Sequence, residues 1–245
     1  MTGTTAATSD YEGLGEFHDL FMVERWRALR PVFEATFGDL GPEATLLDLG
    51  AGTGLGTRTL AACTRARIVA VEPSRTMRAV LTARIADDDD LAERVSVVAG
   101  AAPEILQDVA GPLAGFVCAH MLGHLTVAQR AGTFAALRPL LLLGAAGVAT
   151  VDPGGAGSSE LMTEERRIGS QRYVVRYLPS DADNRYASEY EVHDETGRAV
   201  RAERFEGSWT SVTAAALAAE LDQDGWSVEP GDQSTVVLRA PGGIA

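Results

Sequence analysis

Leu46-Leu47-Asp48-Leu49-Gly50-Ala51-Gly52-Thr53-Gly54 is the stretch that decides the fold of this chain. A short apolar run of strand character enters three glycines at alternate positions, and a helical stretch over 55–64 follows. Glycines at such a place let the backbone turn tightly and leave room for a ligand to lie against the main chain. A second apolar strand, Ile68-Val69-Ala70-Val71, ends at Glu72, 24 residues after Asp48. In a doubly wound sheet, an acid at that strand end meets the two hydroxyls of a ribose. The dinucleotide fingerprint Gly-x-Gly-x-x-Gly/Ala fails at its third position, which is Leu55 counted from Gly50 and Thr57 counted from Gly52. A nicotinamide site is therefore not the reading.

Outward from this stretch, short apolar runs alternate with helical ones. Strands are expected over 45–49, 67–72, 95–99, 115–119 and 147–151, with helices over 55–64, 74–85 and 126–139. Thr126 followed by Gln129 has the form of a capping box and places the start of the last of these helices. Such alternation predicts a parallel sheet with helices on both faces. Upstream, Phe17, Leu20, Phe21, Trp26, Leu29, Phe33 and Phe37 fall near helical spacing, with Pro31 dividing the segment. This reads as an N-terminal helical cap over 1–40, with Trp26 in the core. Downstream, a glycine-rich segment over 153–159 precedes three strand-like runs over 171–178, 185–193 and 198–209, in which polar and aromatic residues interleave. They suggest an antiparallel sheet inserted over 156–210, with Tyr173, Tyr177, Tyr186, Tyr190, Phe205 and Trp209 covering the substrate side of the cleft or forming a subunit contact. A helix over 213–221 and strands over 226–229 and 235–240 complete an α/β, doubly wound, Rossmann-like sheet of seven strands in a single domain. The run Asp87–Asp90 reads as a solvated loop.

Composition narrows the chemistry. At 245 residues the chain can bury about 70–75% of its unfolded surface without disulfides. It is 46% hydrophobic and 22% charged, with a mean hydropathy of +0.01, which is globular and not disordered. A net charge of −13 repels phosphate backbones and anionic lipid heads, so neither nucleic acid nor a membrane is an expected partner. All 21 basic residues are Arg, which removes every mechanism that needs a lysine amine. Cys63 and Cys118 have neither a disulfide nor a zinc spacing and read as reduced core residues. The N-terminus lacks the layout of a signal peptide, so a cytoplasmic location is expected. The charge-free stretch Val109–Gln129 is broken by Gly111, Pro112, Gly115, His120, Gly123 and His124, as a buried strand plus loop would be. Arg-only basic usage, a single Asn (Asn184) and heavy Ala use point to a GC-rich bacterial genome.

Taken together, the glycine loop and Glu72 resemble the class I S-adenosylmethionine-dependent methyltransferases. The resemblance implies that Asp48, Gly50, Ala51, Gly52 and Gly54 form the first strand and glycine loop of a cofactor site, and that Glu72 binds the ribose. It adds Pro73, Gly100, Ala101, Ala119 and Tyr11 to the cofactor-binding set, Tyr11 through an N-terminal cap that folds over the cofactor with Phe17 and His18. The family often carries an acid after the third strand to hold the adenine amino group. Here the residues are Ala99-Gly100-Ala101-Ala102, so backbone groups or a side chain from elsewhere must serve.

The fourth strand ends in Cys118-Ala119-His120-Met121-Leu122-Gly123-His124-Leu125, and ligands in open sheets lie beyond the carboxyl ends of the strands. The Gly-His-Leu triplet and the inserted sheet are similar to those of small-molecule N-methyltransferases acting on amino sugars of bacterial antibiotics. His124 is the expected base or orienting group, and His120 lies nearer the methionine part of the cofactor. Asp152 reads equally as a substrate contact or as an ordinary turn residue before Pro153. Metal-dependent O-methyltransferases carry acids after the fourth strand, so no metal is expected. The expected function is methyl transfer to an amine or hydroxyl of a small molecule, a specialised metabolite. The alternative is a methyltransferase-like protein that binds the cofactor without methylating, as a cyclase or binding partner. A homodimer through the inserted segment would suit the aromatic cluster.

Overall fold

The computed structural model describes residues 14–153, 162–178, 185–232 and 234–242. Its main sheet has seven strands: β1 (Thr45–Leu49), β2 (Arg67–Val71), β3 (Val95–Val98), β4 (Leu113–Cys118), β5 (Leu141–Thr150), β10 (Ser227–Pro230) and β11 (Thr235–Arg239). Their order is β10-β11-β5-β4-β1-β2-β3. β1 to β5 run parallel, β11 is antiparallel to β5, and β10 is antiparallel to β11. The chain leaves β1 towards β2 and β3 on one side and returns to β4 and β5 on the other. The crevice of the sheet therefore opens between the ends of β1 and β4.

Helices cover both faces because the central strands are apolar on both. Leu46, Leu47 and Leu49 are all buried. One apolar layer gathers Phe116, Phe134, Leu137, Leu217 and Trp226 beneath α6 (Val127–Leu137) and α7 (Ala214–Leu221). The other gathers Trp26, Phe33, Phe37, Leu60 and Leu81 beneath α1 (Gly15–Ala28), α2 (Arg30–Phe37), α3 (Leu55–Ala61) and α4 (Arg75–Ala86). Pro31 stands at the first turn of α2, and the break between α1 and α2 falls at Leu29. Thr126 and Gln129 close a reciprocal capping box at the start of α6.

A second sheet, order β6-β7-β8-β9, is made by β6 (Met162–Ile168), β7 (Gln171–Leu178), β8 (Arg185–His193) and β9 (Ala199–Ser208), antiparallel throughout. One face carries Val175, Tyr190 and Val192 onto Leu14, Phe17, Phe21 and Met77. Phe17 stacks on Tyr190 at 4.7 Å between ring centroids, so the inserted sheet rests on α1. Arg176–Glu191, Arg204–Glu189 and Arg172–Glu165 pair across the strands.

Three segments depart from the sequence reading. β6 was not expected, because Met-Thr-Glu-Glu-Arg-Arg-Ile is apolar only at its ends; its seven-residue pairing with β7 supplies what its side chains lack. β5 begins at Leu141, well before the expected 147, because a bulge containing Gly144 at φ +81° lets it resume register with β4. The acidic run is not a loop: the Asp88 side chain accepts from the Leu91 N–H at 3.2 Å and starts α5 (Asp89–Arg94). Among the described residues no helix is long and apolar enough to cross a membrane.

Candidate active site

The glycine loop joins β1 to α3 with Gly50, Gly52 and Gly54 all in the left-handed region, at φ +79°, +57° and +87°. A side chain added at Gly52 would meet nothing within 4 Å, so the loop presents bare main chain to open space at that point. At Gly50 a Cβ would come within 2.9 Å of the Met121 Cβ, which shows how closely the loop after β1 faces the loop after β4. Asp48 lies beneath the glycine turn, fully buried, where it accepts from Thr57 Oγ1 at 2.6 Å and ties β1 to α3. Burial pushes its carboxyl up to about 6, against the Thr57 hydrogen bond and with the nearby Glu72 charge adding.

Glu72 is buried beside the loop. Its Oε2 accepts from the Gly52 N–H at 2.8 Å and its Oε1 from the Ser74 N–H at 2.7 Å. Each oxygen keeps a second lone pair for a further donor. Desolvation raises its pKa, opposed by the Ser74 and Gly52 hydrogen bonds and by His18 and Arg78. Pro73 follows, its carbonyl and that of Glu72 both receiving Arg78 Nη1 at 3.0 and 2.9 Å. Gly100 packs under Ile105, Ala101 is exposed, and Ala51 within the loop and Ala119 after β4 are both buried.

α1 closes over this end of the crevice. Asp19 receives hydrogen bonds from Thr53 Oγ1 and from Arg84 Nη2 (2.6 Å), while Arg84 Nη1 donates to the Thr53 carbonyl at 2.7 Å. The helix is thereby latched to the glycine loop and to α4. Burial alone would raise the Asp19 carboxyl, but its hydrogen bonds with His18, Thr53 and Arg84 hold it at about 2, against an ordinary 3.8. A depressed carboxylate adds stability that is present above its unfolded pKa and is lost as pH falls through the folded one. Asp19→Asn therefore destabilises the protein by about 1–2 kcal/mol at neutral pH, discounted for solvent screening, and the difference closes between about pH 4 and 2. Denaturant melts of both proteins across that range check this; an undiminished difference at pH 2 would mean that the latch does not act through charge.

The two histidines stand past β4 in different settings. His120 is a non-glycine residue at φ +54°, fixed by its N–H donating to Thr150 Oγ1 at 2.6 Å. Its ring meets the Trp26 edge at 5.0 Å, and its buried Nε2 has no hydrogen-bond partner. Desolvation, with Arg25 and His18 acting in the same direction and Asp152 against them, pushes it down to about 4. His124 ends a short 3₁₀ turn, Leu122–His124, with its ring edge-on to Trp209 at 4.8 Å. A Cβ on Gly123 would strike Trp209 at 2.4 Å, and the Thr210 N–H donates to the Gly123 carbonyl at 2.8 Å, so the end of the inserted segment is moulded to this turn. From the other side, buried Arg130 donates through Nη1 to the Leu125 carbonyl at 2.6 Å and holds Glu220 of α7 through Nε at 2.7 Å.

Residues 46–144 match the family described as a methyltransferase domain. No curated protein sequence matches this chain significantly. Among solved structures, it is similar to CalS10, an amino pentose methyltransferase from Micromonospora echinaspora involved in calicheamicin biosynthesis. The TM-score is 0.69 at 19% identity, covering 94% of this chain and 96% of that one. It is similar to KedS8, a sugar N-methyltransferase from Streptoalloteichus sp ATCC 53650, with a TM-score of 0.69 at 20% identity over 99% of both chains. It is also similar to DesVI from Streptomyces venezuelae, with a TM-score of 0.68 at 15% identity, covering 98% of this chain and 100% of that one. At these identities the likeness establishes a shared fold.

In this fold the glycine loop, Glu72, Ala119 and both histidines lie at the end of the sheet where the crevice opens, whereas Asp48 supports the loop from below. Tyr11 lies outside the described residues. Trp26 is both core and site wall, touching His120 and packing where a Cβ on Gly56 would be, 2.5 Å from its ring. Sequence reasoning missed Asp19, Arg84 and Arg130. A trace of Arg130 was present, since it occupies the apolar stripe of α6 with Thr133, Phe134 and Leu137. Asp19 and Arg84 left none, because their meeting depends on how α1 packs.

Proposed function

We propose that this methyltransferase moves a methyl group from S-adenosylmethionine to an amine or hydroxyl of a small molecule, a specialised metabolite of a bacterial cytoplasm. The observation that carries the reading is the open, side-chain-free main chain at Gly52 beside the buried Glu72 carboxylate. It fits a ligand that lies against bare main chain and offers a ribose diol to the carboxylate. Gly50, Ala51, Gly52 and Gly54 would line the cofactor, Glu72 would accept from its ribose hydroxyls, Asp48 would hold the loop in shape, and Pro73, Gly100, Ala101 and Ala119 would flank it. Bound S-adenosylmethionine supplies an electrophilic methyl on a sulfonium.

The chain's own contribution is alignment and proton handling. α1 and Trp26 wall off water from the crevice. His124, held between Trp209 and the Arg130-bound turn, takes the proton that the acceptor loses. His120, pushed down to about 4, is too weak a base for that part at neutral pH and serves as a hydrogen-bonding group. The amino-sugar relatives named above support a small polar acceptor. A cofactor-binding, non-methylating role is the second reading, favoured by the lack of an acid in Ala99–Ala102. Tritium transfer from labelled S-adenosylmethionine to a panel of amines and phenols, with calorimetric titration of S-adenosylhomocysteine, separates the two. Binding without transfer across the panel supports the second reading, and absence of binding overturns both.

A further inference from the structure

We propose that Arg130 and Glu220 are positioning residues for His124, their buried ion pair setting the turn that presents the imidazole. The inference rests on the reading of His124 as the base and concerns what holds that base in place. Arg130 projects from α6 and is only 2% exposed. Its Nε and Nη2 donate to the two carboxylate oxygens of Glu220 on α7, at 2.7 and 2.5 Å. Its Nη1 donates to the Leu125 carbonyl at 2.6 Å and to the Leu122 carbonyl at 3.4 Å. Leu122 opens the 3₁₀ turn and Leu125 follows it, so one planar guanidinium spans the turn whose last residue is His124.

Stability is a poor account of such a pair. Taking two charges out of water offsets much of their attraction, and apolar residues of similar volume often hold a fold as well or better. What the fork adds is direction, because it can bind a carboxylate and reach both carbonyls in one orientation only. The rest of the turn is held as closely. The His124 N–H donates to the Met121 carbonyl at 3.0 Å, and the Thr210 N–H donates to the Gly123 carbonyl at 2.8 Å. Trp209 stands edge-on to the imidazole at 4.8 Å on the other flank. Trp209, Thr210 and Glu220 all lie between the end of β9 and the end of α7, so one stretch of chain grips the histidine from both sides. Such a grip matters for proton transfer, since a misplacement of about 1 Å costs up to about 10²-fold in rate.

The test uses Arg130→Lys, which keeps the charge but not the fork, and the joint replacement of Arg130→Met with Glu220→Leu, which leaves no buried charge unpaired. Each whole protein is saturated with S-adenosylhomocysteine, and the imidazole signals of the four histidines are followed by NMR through a pH titration. In both variants the His124 signal is expected to shift and to lose its nuclear Overhauser contact with the Trp209 ring, while His18 and His193 titrate as before and S-adenosylhomocysteine affinity is unchanged. In tritium transfer from labelled S-adenosylmethionine, kcat is expected to fall about 10–10²-fold with KM for the cofactor unchanged, and Arg130→Lys is expected to cost nothing further in a His124→Ala background. An unmoved His124 signal in a folded variant, or an equal loss of kcat in both backgrounds, would overturn the positioning role. Should Arg130→Lys fold poorly, the joint replacement decides. Full turnover by His124→Ala would instead overturn the reading of the base on which the proposal stands.

Discussion

Glu72→Ala lowers the affinity for S-adenosylhomocysteine by at least about tenfold, since a hydrogen bond to a charged partner contributes roughly 1.5–3 kcal/mol. Two effects act together. The ribose hydroxyls lose the carboxylate that accepts from them, and the Gly52 and Ser74 N–H groups, now bound at 2.8 and 2.7 Å, lose their acceptor in a buried place. Glu72→Gln separates the effects, because its single amide oxygen can keep only one of those backbone donors while the charge is gone. A further sign is in the pH dependence. Burial raises the Glu72 pKa, and bound hydroxyl donors favour the ionised form, so affinity weakens as pH falls through that raised value and the weakening disappears in Glu72→Gln. Calorimetry at several pH values reads both. Unchanged binding by a folded Glu72→Ala protein would show that the ribose lies elsewhere.

Loss of the His124 imidazole is expected to cost about 10²–10⁴ in kcat, the usual range for a general base, with S-adenosylhomocysteine affinity near normal. His124→Asn recovers part of that loss if orientation is the larger share. The pH profile of kcat/KM loses the limb that the imidazole carries. The geometry gives this histidine the acceptor side, since its turn is shaped on one flank by Trp209 and anchored on the other by Arg130. His120 is pushed down to about 4 and titrates outside the working range. Nearly full turnover by His124→Ala alongside an inactive His120→Ala would reverse the roles, and normal turnover by both would leave alignment alone as the catalytic contribution.

Both predictions concern residues legible from the sequence, for a physical reason. The glycine loop, the acid after the second strand and the histidines after the fourth are encoded by short-range pattern: an apolar run of strand length, the residue that ends it, and the small residues that let the chain turn there. Alternation of such runs with helical stretches was enough to imply seven strands wound around a crevice. Pattern failed where pairing overrode it. β6 is charged through most of its length and is a strand because β7 offers it a ladder, and the acidic run after α4 becomes helical because Asp88 caps it. The tertiary structure alone decided which side chains meet across long separations. Asp19 reaches Thr53 and Arg84 only when α1 lies over the glycine loop, Trp209 reaches His124 only when the inserted sheet returns the chain to the crevice, and Asp152 receives Val212 and Trp209 only through that same return. Those meetings depend on the packing of apolar faces, such as Phe17 on Tyr190, and a one-dimensional pattern shows that a face exists but not which other face will bury it.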